Sequence, residues 1–121
     1  MRPERDDLAY LQDMLEAAND AADFVRGRSF EDYLANTMLR AAVERKVEII
    51  GEACRHVSRE FKSQHPEIPW KPIETQRHRL IHEYMGIEHR RIWDVATVHV
   101  PPLVQRLEAI LRRGTPQPPS A

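Results

Sequence analysis

The chain has 121 residues, of which 41% are hydrophobic and 31% are charged, and its formal net charge is −1. These values indicate one domain with its own core, and they argue against a protein that binds nucleic acid through bulk positive charge. The single cysteine, Cys54, excludes an intramolecular disulfide, and we expect it to pack in the core. With no signal peptide and no apolar run of ~18–20 residues, the expected location is cytoplasmic, away from the membrane.

The first part of the chain predicts two helices. Apolar residues recur in steps of three and four over residues 8–25, which favours a first helix at about residues 3–26. Gly27 is suited to end it, because glycine readily adopts the left-handed conformation found after helix C-termini. Ser29 is a candidate N-cap for a short second helix over residues 30–34.

A long third helix is predicted next, capped by Asn36 or Thr37 and running without interruption toward Gln64. Its apolar residues form one broad face, as expected for a helix that lies against a core. Gly51 lies inside this helix, where glycine costs ~1 kcal/mol relative to alanine. A close contact with a second helix would explain this glycine.

A proline-rich connector over residues 65–72 separates the third helix from the fourth. Ile68 and Trp70 are expected to anchor the connector to the core. The fourth helix is predicted over residues 73–84, and Gly86 is suited to end it.

The last predicted helix begins near Glu88 and continues to about Leu111, with an interruption at Pro101-Pro102. Residues 114–121 are rich in proline and serine and are expected to form a disordered tail. The sequence therefore predicts an all-α fold, an up-and-down bundle of four to five helices, with residues 1–113 as a single domain.

The fourth predicted helix carries the motif Arg77-x4-His82-x-Tyr84. Cleaving a phosphodiester without a metal requires a base for the 2′-OH, an acid for the leaving 5′-oxygen and a cation for the phosphate. His82 can transfer a proton near neutral pH, and Arg77 can donate two aligned hydrogen bonds to phosphate oxygens. The motif is therefore the candidate site for chemistry.

Helix geometry separates the three motif side chains. Five residues turn an α-helix by ~500°, so Arg77 and His82 point about 140° apart, whereas Arg77 and Tyr84 lie on nearly the same face. The long arginine side chain could wrap round, the helix could loosen near Gly86, or groups from two subunits could meet. We favour two subunits, because acid and base roles together suggest two histidines and one chain supplies one motif histidine.

Four landmarks occur in a characteristic order along the chain. They are the helical run 42–53, the connector Pro66-Glu67-Ile68-Pro69-Trp70, the Arg77-x4-His82-x-Tyr84 motif and Ile92-Trp93-Asp94. In this order and spacing the chain resembles the HepT-like proteins, a branch of the HEPN helical superfamily, over roughly residues 6–112. Three positions depart from the commonest family pattern: His78 stands where asparagine is frequent, and Thr75-Gln76 stands where Gly-Met is frequent.

The resemblance implies a specific biology. HepT-like proteins are the toxin half of type VII toxin–antitoxin pairs, and their usual partner is a minimal nucleotidyltransferase antitoxin. The resemblance implies a homodimeric, metal-independent endoribonuclease without a cofactor, in which two Arg-x4-His motifs face each other across a cleft. It places the catalytic roles on Arg77 and His82, while His78 and Arg79 are candidate substrate-binding or accessory residues; His78 could contact phosphate, titrate alongside His82 or only pack. It makes Tyr84 an accessory residue and the site of AMPylation by the antitoxin.

Two other functions are compatible with the same residues. A non-enzymatic helical module could use Arg77 and His82 to bind the phosphate of a nucleotide or of a protein partner. His78 and His82, four residues apart, could instead ligate zinc, although no third ligand stands at a diagnostic spacing. The zinc reading is the weaker of the two because two ligands do not complete a site.

The remaining notable residues have a structural and a functional interpretation. A basic cluster could face RNA or could be a solvated surface interleaved with acidic residues; its members are Arg77, Arg79, Arg90 and Arg91. With the family context we favour the RNA-facing interpretation. Trp70 and Trp93 are expected to be core anchors rather than platforms on which bases stack.

Overall fold

The computed structural model describes residues 6–82 and 88–114. These residues contain helices and no strand, which confirms the all-α prediction. Seven α-helices and one π-helical turn follow one another in the order α1 (Asp7–Val25), α2 (Phe30–Ala35), α3 (Thr37–His56), α4 (Arg59–Gln64), α5 (Trp70–His82), α6 (His89–Asp94), the π-turn (Val95–His99) and α7 (Val100–Gly114). In the part of the chain described, none of these helices is both long and apolar enough to cross a membrane.

Local capping explains where the first three helices begin. The Asp6 carboxylate accepts the backbone N–H groups of the first turn of α1, at 2.6 and 3.2 Å. Ser29 and Asp32 form a reciprocal capping box at α2, with donor–acceptor distances of 2.9 and 3.1 Å. The Asn36 side chain caps α3, and Gly27, with a φ of 74°, follows α1 in the left-handed conformation. These observations confirm the predicted caps Ser29 and Asn36 and the predicted glycine stop. The predicted start of the first helix near residue 3 is wrong, because the Asp6 side chain caps a helix that begins at Asp7.

The prediction of an uninterrupted third helix is wrong. α3 ends at His56, and α4 begins after Ser58, whose hydroxyl caps it by accepting the Phe61 N–H at 3.1 Å. The Asp7 carboxylate holds the turn from outside by accepting the Ser58 N–H at 2.8 Å and its hydroxyl at 2.7 Å. This break is one reason why the helices outnumber the predicted four to five.

The second reason is the pair Pro101-Pro102: the predicted kink or interruption of the last helix takes the form of a π-turn that ends at His99, just before the prolines. Prolines lack the N–H groups that would bond back to the carbonyls of the preceding turn. The chain adjusts with a π-turn, in which the Val100 N–H bonds to the Val95 carbonyl five residues earlier. The helix thus continues through the prolines without a break in helical backbone.

The core lies on both sides of α3, which packs against α1 and α5, while α1 also packs against α7. Ile68 of the connector is 2% exposed, and the Trp70 indole donates to the His65 carbonyl at 2.9 Å, so the connector is anchored as predicted. The second of two core clusters contains the buried side chains of Leu39, Val43, Leu80 and Ile92. Trp93 packs against this cluster and against the rings of Phe30 and Tyr33, which confirms its structural role.

The first core cluster includes the buried side chains of Leu11, Met14, Ile50 and Leu107. Cys54 is fully buried within this cluster, as the sequence predicted. Burial raises the pKa of its thiol to about 12. The thiol donates a weak hydrogen bond to the Trp70 carbonyl at 3.6 Å. Cys54 therefore helps to hold the first turn of α5 against α3.

Candidate active site

The helix α5 carries the motif, and one of its faces is fixed against the core. It begins at Trp70, three residues earlier than predicted, because Pro72 can occupy the first turn of a helix. Leu80 is 7% exposed and belongs to the second core cluster. This contact orients the whole helix: residues near Leu80 on the helical wheel face α3, and residues opposite face outward.

Arg77 lies on the inner face of α5, where the backbone of α3 comes close. A Cβ atom placed on Gly51 would overlap the Cβ of Arg77 and would lie 3.0 Å from its Cγ. Only glycine leaves room for this contact, so the structure explains the glycine that the sequence placed inside a helix.

The guanidinium group of Arg77 is held by Glu52. Its Nη2 lies 2.5 Å from a Glu52 carboxylate oxygen, and the Arg77 side chain is 21% exposed. The Nε atom is buried and has no hydrogen-bond partner among the described residues. Arg77 is therefore pre-positioned, with its charge balanced by a carboxylate.

Glu52 is a site residue that sequence reasoning missed. Its carboxylate is also 3.1 Å from Nε2 of His56, whose ring stacks on Tyr10 with a centroid distance of 5.3 Å. Burial raises the pKa of the Glu52 carboxyl, but the hydrogen bond to His56 and the charge of Arg77 outweigh burial, so the net shift is downward. The only sequence signal was indirect: Glu52 follows Gly51, the residue predicted to touch another helix.

His82 lies on the opposite side of α5 from Arg77. Its side chain is exposed, and its ring lies 4.2 Å from that of His78, measured between centroids. Because α5 is α-helical through His82, Arg77 and His82 point about 140° apart. The structure thus brings His78 and His82 together, and it places Arg77 elsewhere. Tyr84 and Gly86 lie outside the described residues.

A groove of about 620 Å³ opens beside α5, between this helix and the segment formed by α6, the π-turn and α7. Val47 and Ile50 of α3 form part of its apolar lining. Its charged lining includes three arginines, namely Arg79, Arg90 and Arg91. The basic cluster predicted from sequence is therefore divided: three members share the groove, and Arg77 is held against α3.

Acidic residues partly balance the charge of the groove. Arg90 Nε lies 3.4 Å from an Asp94 oxygen, and Arg91 Nη2 lies 3.2 Å from a Glu88 oxygen. Arg79, the groove residue on the motif helix, has no ion-pair partner within residues 6–82 and 88–114. The ion pairs fit the interpretation of Arg90 and Arg91 as a solvated surface interleaved with acidic residues, whereas the RNA-facing interpretation stays a prediction.

The zinc alternative can be compared with the described side chains. His78 and His82 are close enough to bind one zinc ion together, but a structural zinc site needs four protein ligands and a catalytic one needs three. Within the described part of the chain, no group of three or more His, Cys, Asp or Glu side chains could hold a metal ion.

Comparison with known proteins identifies the family. The model of the family described as "Ribonuclease HepT-like" matches residues 14–110. A protein of Methanocaldococcus jannaschii named "Putative RNase" is 38% identical over 106 residues, which cover 88% of this chain and 97% of the relative. A protein of Thermococcus cleftensis named "Probable ribonuclease HepT" is 39% identical over 101 residues, which cover 84% and 92%.

A further relative, from Caldanaerobacter subterraneus and also named "Putative RNase", is 38% identical over 104 residues, which cover 86% of this chain and 93% of the relative. No solved structure matches the chain. The described residues form an all-helical fold, and one partly exposed helix, α5, carries the Arg-x4-His motif. The chain belongs to the HepT-like ribonuclease family, which confirms the resemblance seen in the sequence.

Proposed function

We propose that the protein is a metal-independent endoribonuclease and acts as the toxin of a type VII toxin–antitoxin pair. One observation carries the proposal: α5 holds Arg77 firmly against α3 and displays His82 to solvent, in a chain whose family relatives are named as ribonucleases. A fixed cation and an accessible proton-transfer group are what RNA cleavage without a metal requires.

In the proposed reaction the 2′-oxygen of the RNA attacks the adjacent phosphorus and forms a cyclic phosphate, while the bond from phosphorus to the 5′-oxygen breaks. A histidine takes the 2′-hydroxyl proton, and a protonated histidine gives a proton to the leaving 5′-oxygen. Arg77 stabilises the extra negative charge on the phosphorane through its aligned N–H donors. The phosphate must compete with Glu52, because the Glu52 carboxylate now occupies one edge of the guanidinium.

The proposed active form is a homodimer. Within one chain Arg77 and His82 diverge by about 140° on α5, so a single subunit does not present both to one phosphate. Two subunits related by a two-fold axis could pair Arg77 of one with His82 of the other and would supply both histidines. The partly exposed Ile81, at 38%, adjoins His82 and offers apolar surface for such an interface.

The proposed control is AMPylation of Tyr84 by a nucleotidyltransferase antitoxin. Tyr84 lies two residues after His82 in the sequence. A nucleotide attached there would add a bulky anionic group beside the motif and would repel the RNA backbone. This part of the proposal rests on the sequence and the family, since Tyr84 lies outside the described residues.

The first experiment incubates purified, unmodified protein with several RNAs, including tRNA, in excess EDTA. We expect cleavage by the wild-type protein and a loss of about 10²–10⁴-fold in His82→Ala, the usual contribution of a general acid–base group. His65→Ala is the matched control, because His65 is on the connector and not on α5. Circular dichroism should show intact helices in both variants.

Absence of cleavage by wild-type protein confirmed as unmodified by mass spectrometry would contradict the proposal. That result, together with RNA binding that depends on Arg77, would identify a phosphate-binding module instead. Cleavage that disappears in EDTA and returns with a divalent cation would equally exclude the metal-independent mechanism.

A further inference from the structure

We infer that the groove between α5 and the segment α6–π-turn–α7 is a nucleoside subsite, which takes one base of the RNA and directs its phosphate to Arg79, beside His82. This inference rests on the proposed ribonuclease function and assigns a base-selecting site to it. Three properties of the groove support it: its size and lining, its unbalanced charge and its position on the motif helix.

Size and lining suit a nucleobase. The groove encloses about 620 Å³, within the ~300–1,000 Å³ that is typical of small-molecule sites. Pro72 and Ile73 of α5 contribute accessible apolar surface to the lining, against which the flat face of a base can pack. Gln76 also lines the groove, and its amide can both donate and accept, as the edge of a base requires.

The charge of the groove suits a phosphate attached to that base. Arg90 and Arg91 each have an acidic neighbour, whereas Arg79 has no ion-pair partner in the described part of the chain. A guanidinium at the edge of an apolar groove favours an occupant with one apolar and one anionic part. An apolar protein helix would fill the groove but would offer nothing to the Arg79 charge, which has no ion-pair partner among the described residues.

The position of Arg79 connects the groove with the candidate catalytic histidine. Residues three apart on a helix are neighbours, so Arg79 and His82 are about 60° apart around α5 and ~4.5 Å apart along its axis. Arg77 is about 140° from His82, so Arg79 is the motif-helix cation adjacent to His82 within one chain. A phosphate bound to Arg79 therefore lies next to the histidine that would transfer protons.

Binding of mononucleotides to the full, unmodified chain tests the subsite directly. Isothermal titration should show that at least one of AMP, GMP, CMP and UMP binds more tightly than inorganic phosphate. Gln76→Trp fills the groove from α5 and should weaken binding of that nucleotide about tenfold or more, because the indole occupies the space of the base and the polar contact of the amide is lost. Gln12→Trp is the matched control, since Gln12 is exposed on α1 and does not line the groove, and its affinity should equal wild type.

The phosphate end of the subsite is tested by Arg79→Gln, with Arg59→Gln on α4 as the control for the same loss of charge. We expect about a tenfold weaker affinity in the first variant and no change in the second, because charged hydrogen bonds dominate phosphate binding. Equal affinities for nucleotide and phosphate, or nucleotide binding that Gln76→Trp leaves unchanged, would overturn the inference.

A cleavage assay on the same variants separates this inference from the proposed function. If wild-type protein cleaves RNA and Gln76→Trp matches Gln12→Trp in rate and in base preference, the function stands and the subsite is overturned. If wild-type protein cleaves nothing yet binds mononucleotides through Gln76 and Arg79, the ribonuclease proposal fails and the nucleotide site stands.

Discussion

The inner and outer faces of α5 differ in what fixes them. On the inner face, Arg77 contacts the backbone of α3 at Gly51, pairs with Glu52 and is followed by the buried Leu80. On the outer face, His78 and His82 are exposed and contact each other. The monomer therefore fixes the cation of the motif, whereas the proton-transfer group of the motif is exposed and contacts only another exposed histidine within the described residues.

This difference has a consequence for how a catalytic site can form. A guanidinium that is already oriented loses little freedom when it binds a phosphate, which favours stabilisation of the transition state. A histidine that projects outward has to be positioned by the RNA or by a second subunit. The two faces should therefore respond differently to substitution, both in activity and in stability.

The first test measures RNA cleavage and asks whether Arg77 of one subunit and His82 of the other form one active site. Arg77→Ala and His82→Ala should each lose about 10²–10⁴-fold of cleavage when pure. If one histidine per site is enough, the two variants mixed under exchange conditions should recover about a quarter of wild-type activity, because random pairing makes half of the two-fold dimers mixed, each with one Arg77–His82 pair across the interface. No recovery, with mixed dimers demonstrated by mass spectrometry, would show that one site needs both motif histidines or takes Arg77 and His82 from the same chain.

The second test compares the stability of the two faces. Leu80→Ala should lower the free energy of unfolding by about 2–5 kcal/mol, because it leaves a cavity in the second core cluster. Ile81→Ala, one position away and 38% exposed, should cost less than about 1 kcal/mol. Urea unfolding of both variants measures the difference. Similar losses would mean that the outer face is buried in solution, as in an assembled dimer.

The third test addresses the contact between Gly51 and Arg77. Gly51→Ala should destabilise the protein by about 1–3 kcal/mol, because overpacking outweighs the better helix propensity of alanine. Arg77→Gly removes the Cβ that the new methyl group would meet, so the double variant should be more stable than the sum of the two single effects predicts. Additive losses would show that α5 moves away from α3 at little cost.

Several features of the fold could be predicted because they depend on neighbours in sequence. The caps at Ser29 and Asn36 and the interruption before Pro101-Pro102 follow from side chains within a few residues. The break between α3 and α4 was missed, because the carboxylate that holds Ser58 belongs to Asp7, which is 51 residues away.

The same distinction applies to the candidate site. The divergence of Arg77 and His82 follows from helix geometry and was predicted. The pairing of Arg77 with Glu52, and the separation of Arg77 from the arginines of the groove, depend on which face of α5 meets α3. That choice is made by packing between helices, and the sequence indicated it only through Gly51.

The smallest expected effect is the pH dependence that Glu52 contributes. Burial raises the pKa of its carboxyl, but the His56 hydrogen bond and the Arg77 charge together lower this pKa by more than burial raises it. The pKa of Glu52 is therefore lower in the folded state than in the unfolded state. The stabilisation is therefore complete above the ordinary pKa of a glutamate and is lost as the pH falls through the lowered value.

Glu52→Gln should accordingly lower the free energy of unfolding by up to about 1 kcal/mol near neutral pH, because the pair is partly exposed. The difference from wild type should shrink toward zero in the acid range, where wild-type Glu52 is protonated as well. Glu48→Gln is the matched control on α3, since it removes a carboxylate that pairs with the exposed Arg45 rather than with Arg77. A Glu52→Gln difference that stays constant from pH 7 into the acid range would show that the charge of Glu52 does not hold Arg77. The inner face would then depend on the packing at Gly51 alone.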